Sequence, residues 1–174
     1  MKIRKILFLC MSAVILSSCS TVKVATDYDT KVDFNQYKTF AFYKTGIDKA
    51  AISDLDKKRI MRAIETELLA KGMTKSAKPD VLVSLFTKSR ERINIDDNSH
   101  GGFFYPRYYG NSQILVSQRT EGTLFIDMLD AKRKELIWQG IGTGTLRVKE
   151  VSKKEARIKE FVKEIMAKYP PEKK

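Results

Sequence analysis

The chain of 174 residues has one histidine, one tryptophan, two cysteines and four prolines. A single imidazole, His100 between Ser99 and Gly101, leaves little for nucleophilic triads, which need a base beside a serine or cysteine. It also falls short of a buried zinc site, which wants several nitrogen or sulfur ligands. Asp96, Asp97, Asn98 and His100 could offer oxygens and one imidazole to a cation, but read more simply as a solvated turn. No disulfide framework is expected, because Cys10 lies inside an apolar N-terminal run and Cys19 is then alone. Past residue 19 no apolar run approaches the ~18 residues a membrane-spanning helix requires.

What the N-terminus does have is specific. Lys2, Arg4 and Lys5 precede the apolar stretch Ile6 to Leu16, and Leu16-Ser17-Ser18-Cys19 closes it with small residues and a cysteine. That is the make-up of a secretory signal, and Leu-Ser-Ser-Cys resembles a bacterial lipobox. Residues 1–18 are therefore expected to be a lipoprotein signal peptide. Cys19 is expected to be the acylated N-terminus of a single domain running from 19 to 174, held to a membrane by lipid alone. Ser20, in place of aspartate, favours the periplasmic side of the outer membrane.

Charge adds a second constraint. Lys and Arg number 33 against 21 Asp and Glu; the first eighteen residues carry three of the bases and no acid, so the remainder keeps a formal +9. For an exported protein the matching partners are anionic lipid head groups or acidic envelope polymers, not nucleic acid. Solvated helix faces explain the excess equally well.

Periodicity organises the rest. Val22 and Val24 alternate with Lys23 and Ala25, predicting a strand over 21–28 directly after the anchor, and Tyr37 to Tyr43 predicts a second. Ser53 to Gly72 predicts a helix with a capping box from Ser53 to Asp56 and a left-handed close at Gly72. Its apolar face is Ile60, Met61, Ile64, Leu68 and Leu69, and Lys57, Lys58, Arg59 and Arg62 fall mostly on the other side.

Val81 to Thr87 has apolar residues on both parities, predicting a strand covered on both faces at its start and running on to Ile95. Residues 96–113 break the pattern as a long loop. Ile114 to Ser117 resumes the sheet, and residues 121–146 predict a hairpin turning at Ala131 to Lys134. Ser152 and Glu155 predict a capping box for a helix whose stripe is Ile158, Phe161, Val162, Ile165, Met166 and Tyr169. The sum is an α+β fold with an antiparallel or mixed sheet of about five to six strands and two helices packed on one face.

Five pieces in this order resemble a family of bacterial envelope lipoproteins, domain of unknown function 4136. They are Asp33 to Ala41, Lys78 to Val83, Glu121 to Asp130, Leu136 to Gly140 and Tyr169-Pro170-Pro171. The resemblance implies an α+β fold and an envelope address, and brings no catalytic residues with it. On their own terms Gly122 and Gly140 suit bends or close backbone approach at strand ends, and Trp138 suits the core.

Other candidates for chemistry are weak. Asp127 and Asp130, three apart on a strand running into a turn, project to opposite faces, so one of them caps the turn. Gly140, Gly142 and Gly144 lack phosphate-loop spacing and make one bare strand face. There remain Phe103, Phe104, Tyr105, Arg107, Tyr108 and Tyr109 in the long loop, which form either a partner-contact surface or a cover for a sheet edge. Expected, then, is a membrane-anchored protein that is not an enzyme, needs neither cofactor nor metal, and binds an envelope protein or glycolipid. The alternatives are a structural subunit of an outer-membrane assembly and, more remotely, a hydrolase of cell wall or lipid.

Overall fold

The computed structural model describes residues 22–96, 115–145 and 150–172, and the side chains of all of these except 91–96 and 115–120. Val22 and Val24 turn inward at the start of strand β1 (Lys23–Tyr28), as their alternation predicts. A short 3-10 turn (Phe34–Gln36) capped by Asp33 leads to β2 (Thr39–Phe42), where Phe40 is fully buried. Helix α1 (Lys44–Asp48) follows; five residues are too few to show periodicity, and the sequence gives no sign of it.

Helix α2 (Asp54–Ala70) starts where its cap predicts, with the Ser53 hydroxyl accepting from Asp56 N–H at 3.2 Å. It stops at Gly72, whose φ of +82° is left-handed. Ile60, Ala63, Ile64 and Leu68 are buried, but Leu69 lies outside the stripe and is exposed. After the two-residue β3 (Thr74–Lys75) come the long strands β4 (Val81–Asp96) and β5 (Leu115–Asp130), then β6 (Leu136–Thr145) and helix α3 (Val151–Met166).

The six strands form one mixed sheet in the order β1-β6-β5-β4-β2-β3. β1, β6, β5 and β4 are antiparallel neighbours; β2 is parallel to both β4 and β3. Helices α2 and α3 cover one face, where Val81, Val83, Leu85, Ile126, Met128, Trp138, Phe161 and Ile165 share the core. A register shift between Met128 and Leu129 sets Trp138 opposite Met128 and Leu136 opposite Leu129. That bulge lets the consecutive residues Ile137 and Trp138 both be buried.

Four expectations need correcting. The sheet is not covered on both faces at Val81: Leu82 and Ser84 are half-buried and Phe86 is exposed, because both long helices take the same side. Residues 115–130 form one strand, since Gln118, Arg119 and Thr120 continue the β4 ladder that their polarity concealed. No box joins Ser152 to Glu155, because α3 begins before Ser152; its hydroxyl donates instead to the Glu150 carboxylate. Gly122 and Gly140 lie within strands, not at their ends.

Candidate functional site

On the helix side the sheet face changes character along β4. Val81, Val83 and Leu85 are buried, but the next residues of that parity are Thr87 and Ser89, and the register partner of Ser89 is Gly122. Short side chains there leave the helices standing off the sheet. The result is a cleft of about 390 Å³ between the N-terminal ends of α2 and α3 and the sheet. Ile52 and Ile60 wall one side, Ile158 and Phe161 the other, and Leu124 with Gly122 forms the floor.

Charged groups gather at this cleft. Lys154 Nζ of α3 donates to Asp56 Oδ2 of α2 at 2.6 Å, and Arg59 donates to Oδ1 at 2.7 Å. Burial works to raise the Asp56 carboxyl, but donation from Lys154, Arg59 and Ser53 outweighs it and holds the carboxyl below the usual range. Arg157 lies over the Phe161 ring at 4.7 Å, donates to the Thr145 carbonyl and pairs with Glu160 at 2.7 Å.

The opposite sheet face carries a row in register across three strands, Phe86, Phe125 and Ile141. The two phenyl rings are 5.5 Å apart, and Lys88 Nζ is 5.6 Å from the centre of each. One row away Asp127 accepts from Gln139 Nε2 at 2.7 Å; burial raises its carboxyl pKa and that bond only partly offsets the rise.

The sequence candidates divide clearly. Asp127 and Asp130 do face opposite ways, and Asp130 is the turn cap, accepting from the N–H groups of Lys132 and Arg133 and from the Tyr37 hydroxyl. The side-chain partner of Asp127 is the Gln139 amide, not a second carboxylate. Gly140 and Gly142 do lie beneath α3, against Ile165. The basic run on α2 is not a free patch: Lys57 binds the Asp48 carbonyl and Asp54, and Arg59 and Arg62 turn toward α3. Cys19 and the aromatic residues Phe103, Phe104, Tyr105, Arg107, Tyr108 and Tyr109 lie outside the described residues, as do Asp97, Asn98 and His100. Among the described residues no group of three potential metal ligands occurs, and no helix is long and apolar enough to cross a membrane. The cleft was missed from sequence, although the step from valine and leucine to Thr87 and Ser89 on one parity was its available signal.

These features define a two-layer α+β domain, with one sheet face covered by helices and the other open. Residues 24–171 match the family described as Domain of unknown function (DUF4136), and the chain belongs to that family. Among solved structures it is similar to a PDZ domain protein from Parabacteroides distasonis, at 23% identity and TM-score 0.53. That likeness covers 89% of this chain but 36% of the other, so this chain spans about a third of that protein. It is also similar to the PelC dodecamer from Paraburkholderia phytofirmans, at 10% identity and TM-score 0.50, covering 84% of this chain and 95% of the other. At these identities the likeness is one of fold. Comparison with curated proteins gives no match.

Proposed function

We propose that this chain is an envelope lipoprotein whose domain is a non-catalytic binding or accessory module. In this reading residues 1–18 are removed, Cys19 carries the acyl anchor, and residues 19–174 stand on the periplasmic side of the outer membrane. The partners are the membrane, through the acyl chains, and an envelope protein or glycolipid; nucleic acid is not among them.

One observation supports this reading best. β4 and β5 continue as a two-stranded ribbon for six register pairs beyond Glu121, where β6 ends, a projection of roughly 20 Å. The aromatic segment is the connection between the far ends of these strands. A fold that needed only stability would gain little from such an extension, whereas one that presents a contact segment away from its own body needs it.

Asp96 and Leu115 are direct partners in the ladder, so residues 97–114 can be replaced by an Asn-Gly turn without changing the register. The shortened protein is expected to keep its thermal midpoint and lose its envelope partner on cross-linked co-purification. Retention of the same partner would remove the segment from function.

A second reading, a structural subunit of an assembly, has its own support. Among the described residues no strand lies beside β4 past Val83 on the β2 side, where α1 packs near Ser84, or beside β5 past Glu121 on the β6 side. Such edges accept further strands. The PelC neighbour is itself a dodecamer. Native mass spectrometry of the acylated protein decides: a fixed stoichiometry favours the subunit, a monomer the transient binder.

A further inference from the structure

We propose that the cleft between α2, α3 and the sheet binds one aliphatic chain that ends in an anionic group, the chemistry of a fatty acid. Its volume of about 390 Å³ lies within the range of small-ligand sites, roughly 300–1,000 Å³. Ile52, Ile60, Leu124, Ile158 and Phe161 make most of the lining beside Thr87, Ser89 and Thr123, which suits a ligand with a mainly apolar body. The lining cations then select the head. Lys154 and Arg157 line the cleft, Lys154 sharing Asp56 with Arg59 and Arg157 paired with Glu160, so two cations on Asp56 leave one positive charge in excess there. The Lys154 side chain is 43% exposed, so an incoming carboxylate reaches its ammonium without dismantling the core. Ala51 and Ile52 lie just before α2 and Lys154 in the first turn of α3, so both helices begin at the cleft. Small residues at Thr87, Ser89 and Gly122 keep this space open where the rest of the sheet face is filled.

The source of such a chain is a free amphiphile from the bilayer, since an acyl chain esterified or amidated at Cys19 has lost its anionic end.

The test is photolabelling of the full chain in nanodiscs of zwitterionic lipid with a diazirine-bearing palmitate, adducts mapped by peptide mass spectrometry. Adducts are expected on the segments holding Ile52, Leu124 and Ile158. Filling the space with Ile158→Trp is expected to lower labelling about tenfold, and Ala51→Trp, at an exposed lining position, gives the same test if the first variant does not fold. The double variant Asp56→Asn with Lys154→Gln is expected to weaken labelling by the carboxylate probe and leave that by the matching diazirine alcohol unchanged. Equal labelling of the acylated chain and of Cys19→Ala is expected of a free amphiphile; labelling of Cys19→Ala alone would mean that the protein's own neutral acyl chain fills the cleft, which overturns the anionic head. Adducts scattered over the surface, or unchanged in both filled variants, overturn the proposal. Neither result bears on whether the ribbon contacts a partner.

Discussion

Asp80 and Thr39 hold each other in both directions. Thr39 donates its N–H and its hydroxyl to Asp80 Oδ2 at 2.9 and 2.8 Å, and Asp80 N–H points back to the same hydroxyl at 2.9 Å. The parallel pairing of β2 with β4 is only three residues long, Phe40 to Phe42 against Val81 to Val83, and this clamp fixes its start.

Asp80→Ala is therefore expected to cost about 1–3 kcal/mol in urea unfolding at neutral pH, the cost of leaving donors unpaired. The Thr39 hydroxyl first, then Lys38 N–H, lowers the Asp80 carboxyl pKa. A lowered acid stabilises the fold above its unfolded pKa and loses that contribution as pH falls through the folded value. The difference between wild type and Asp80→Ala should accordingly shrink below about pH 4. A pH-independent difference would mean that the charge is irrelevant.

Trp138 is fully buried, with its ring edge-on to Tyr169 at 5.2 Å, and its indole N–H has no partner among the described atoms. Trp138→Ala is expected to cost about 3–5 kcal/mol. Trp138→Phe should cost much less, because it removes an unsatisfied donor along with the lost volume. Equal losses for the two variants would show that the N–H is satisfied in solution.

Gly142 and Gly72 matter for different reasons. A Cβ on Gly142 would stand 2.7 Å from Ile165 Cδ1 and 2.9 Å from its Cγ1, so the buried Ile165 side chain must shift, whereas at Gly72 nothing lies within 4 Å and the obstacle is its positive φ. Gly142→Ala is expected to cost about 1–3 kcal/mol through overpacking, and Gly72→Ala about 1–2 kcal/mol through backbone strain. Shortening Ile165 to Ala should relieve the first loss and not the second. Relief of both would contradict the distinction.

Asp127 is held above the ordinary carboxylate range by burial. A raised acid binds its proton more tightly in the folded state, so stability falls as pH rises from the unfolded to the folded pKa and stays lower above it. Asp127→Asn, still within reach of Gln139, should raise the thermal midpoint at neutral pH and flatten this dependence. A lower midpoint would mean that the ionised form is stabilised by groups outside this pair.

Most of the architecture could be read from periodicity, because β1, β2, α2 and α3 each bury one parity or one stripe. Ser53 and Gly72 marked both ends of α2. Where two residues compete for one role, reading failed: Glu150, not Ser152, precedes the first turn of α3, and Leu69 is exposed although its spacing suits the stripe. The polar residues Gln118 to Thr120 hid the continuity of β5, since a two-stranded ribbon has no core to demand alternation. The family-like pieces turned out to meet in space. Phe34 and Tyr169 are 6.0 Å apart, edge-on, and Trp138 adjoins Tyr169, so residues distant in the chain share one aromatic cluster. Such pieces maintain the fold and say little about function. The cleft stayed hidden because it arises from small side chains on β4 and β5 facing two helices, a juxtaposition no local window contains.

The central claim, that the ribbon presents its connecting segment to an envelope partner, is tested most directly by photo-crosslinking in living cells. Crosslinkers belong at Tyr105 and Tyr108, with a control at Lys58, which is exposed on α2. A discrete adduct from Tyr105 or Tyr108 and none from Lys58 is the expected result, and the adduct identifies the partner. No adduct at either tyrosine, with the protein present at the membrane, would contradict the claim and turn attention to the open sheet face around Phe86 and Phe125.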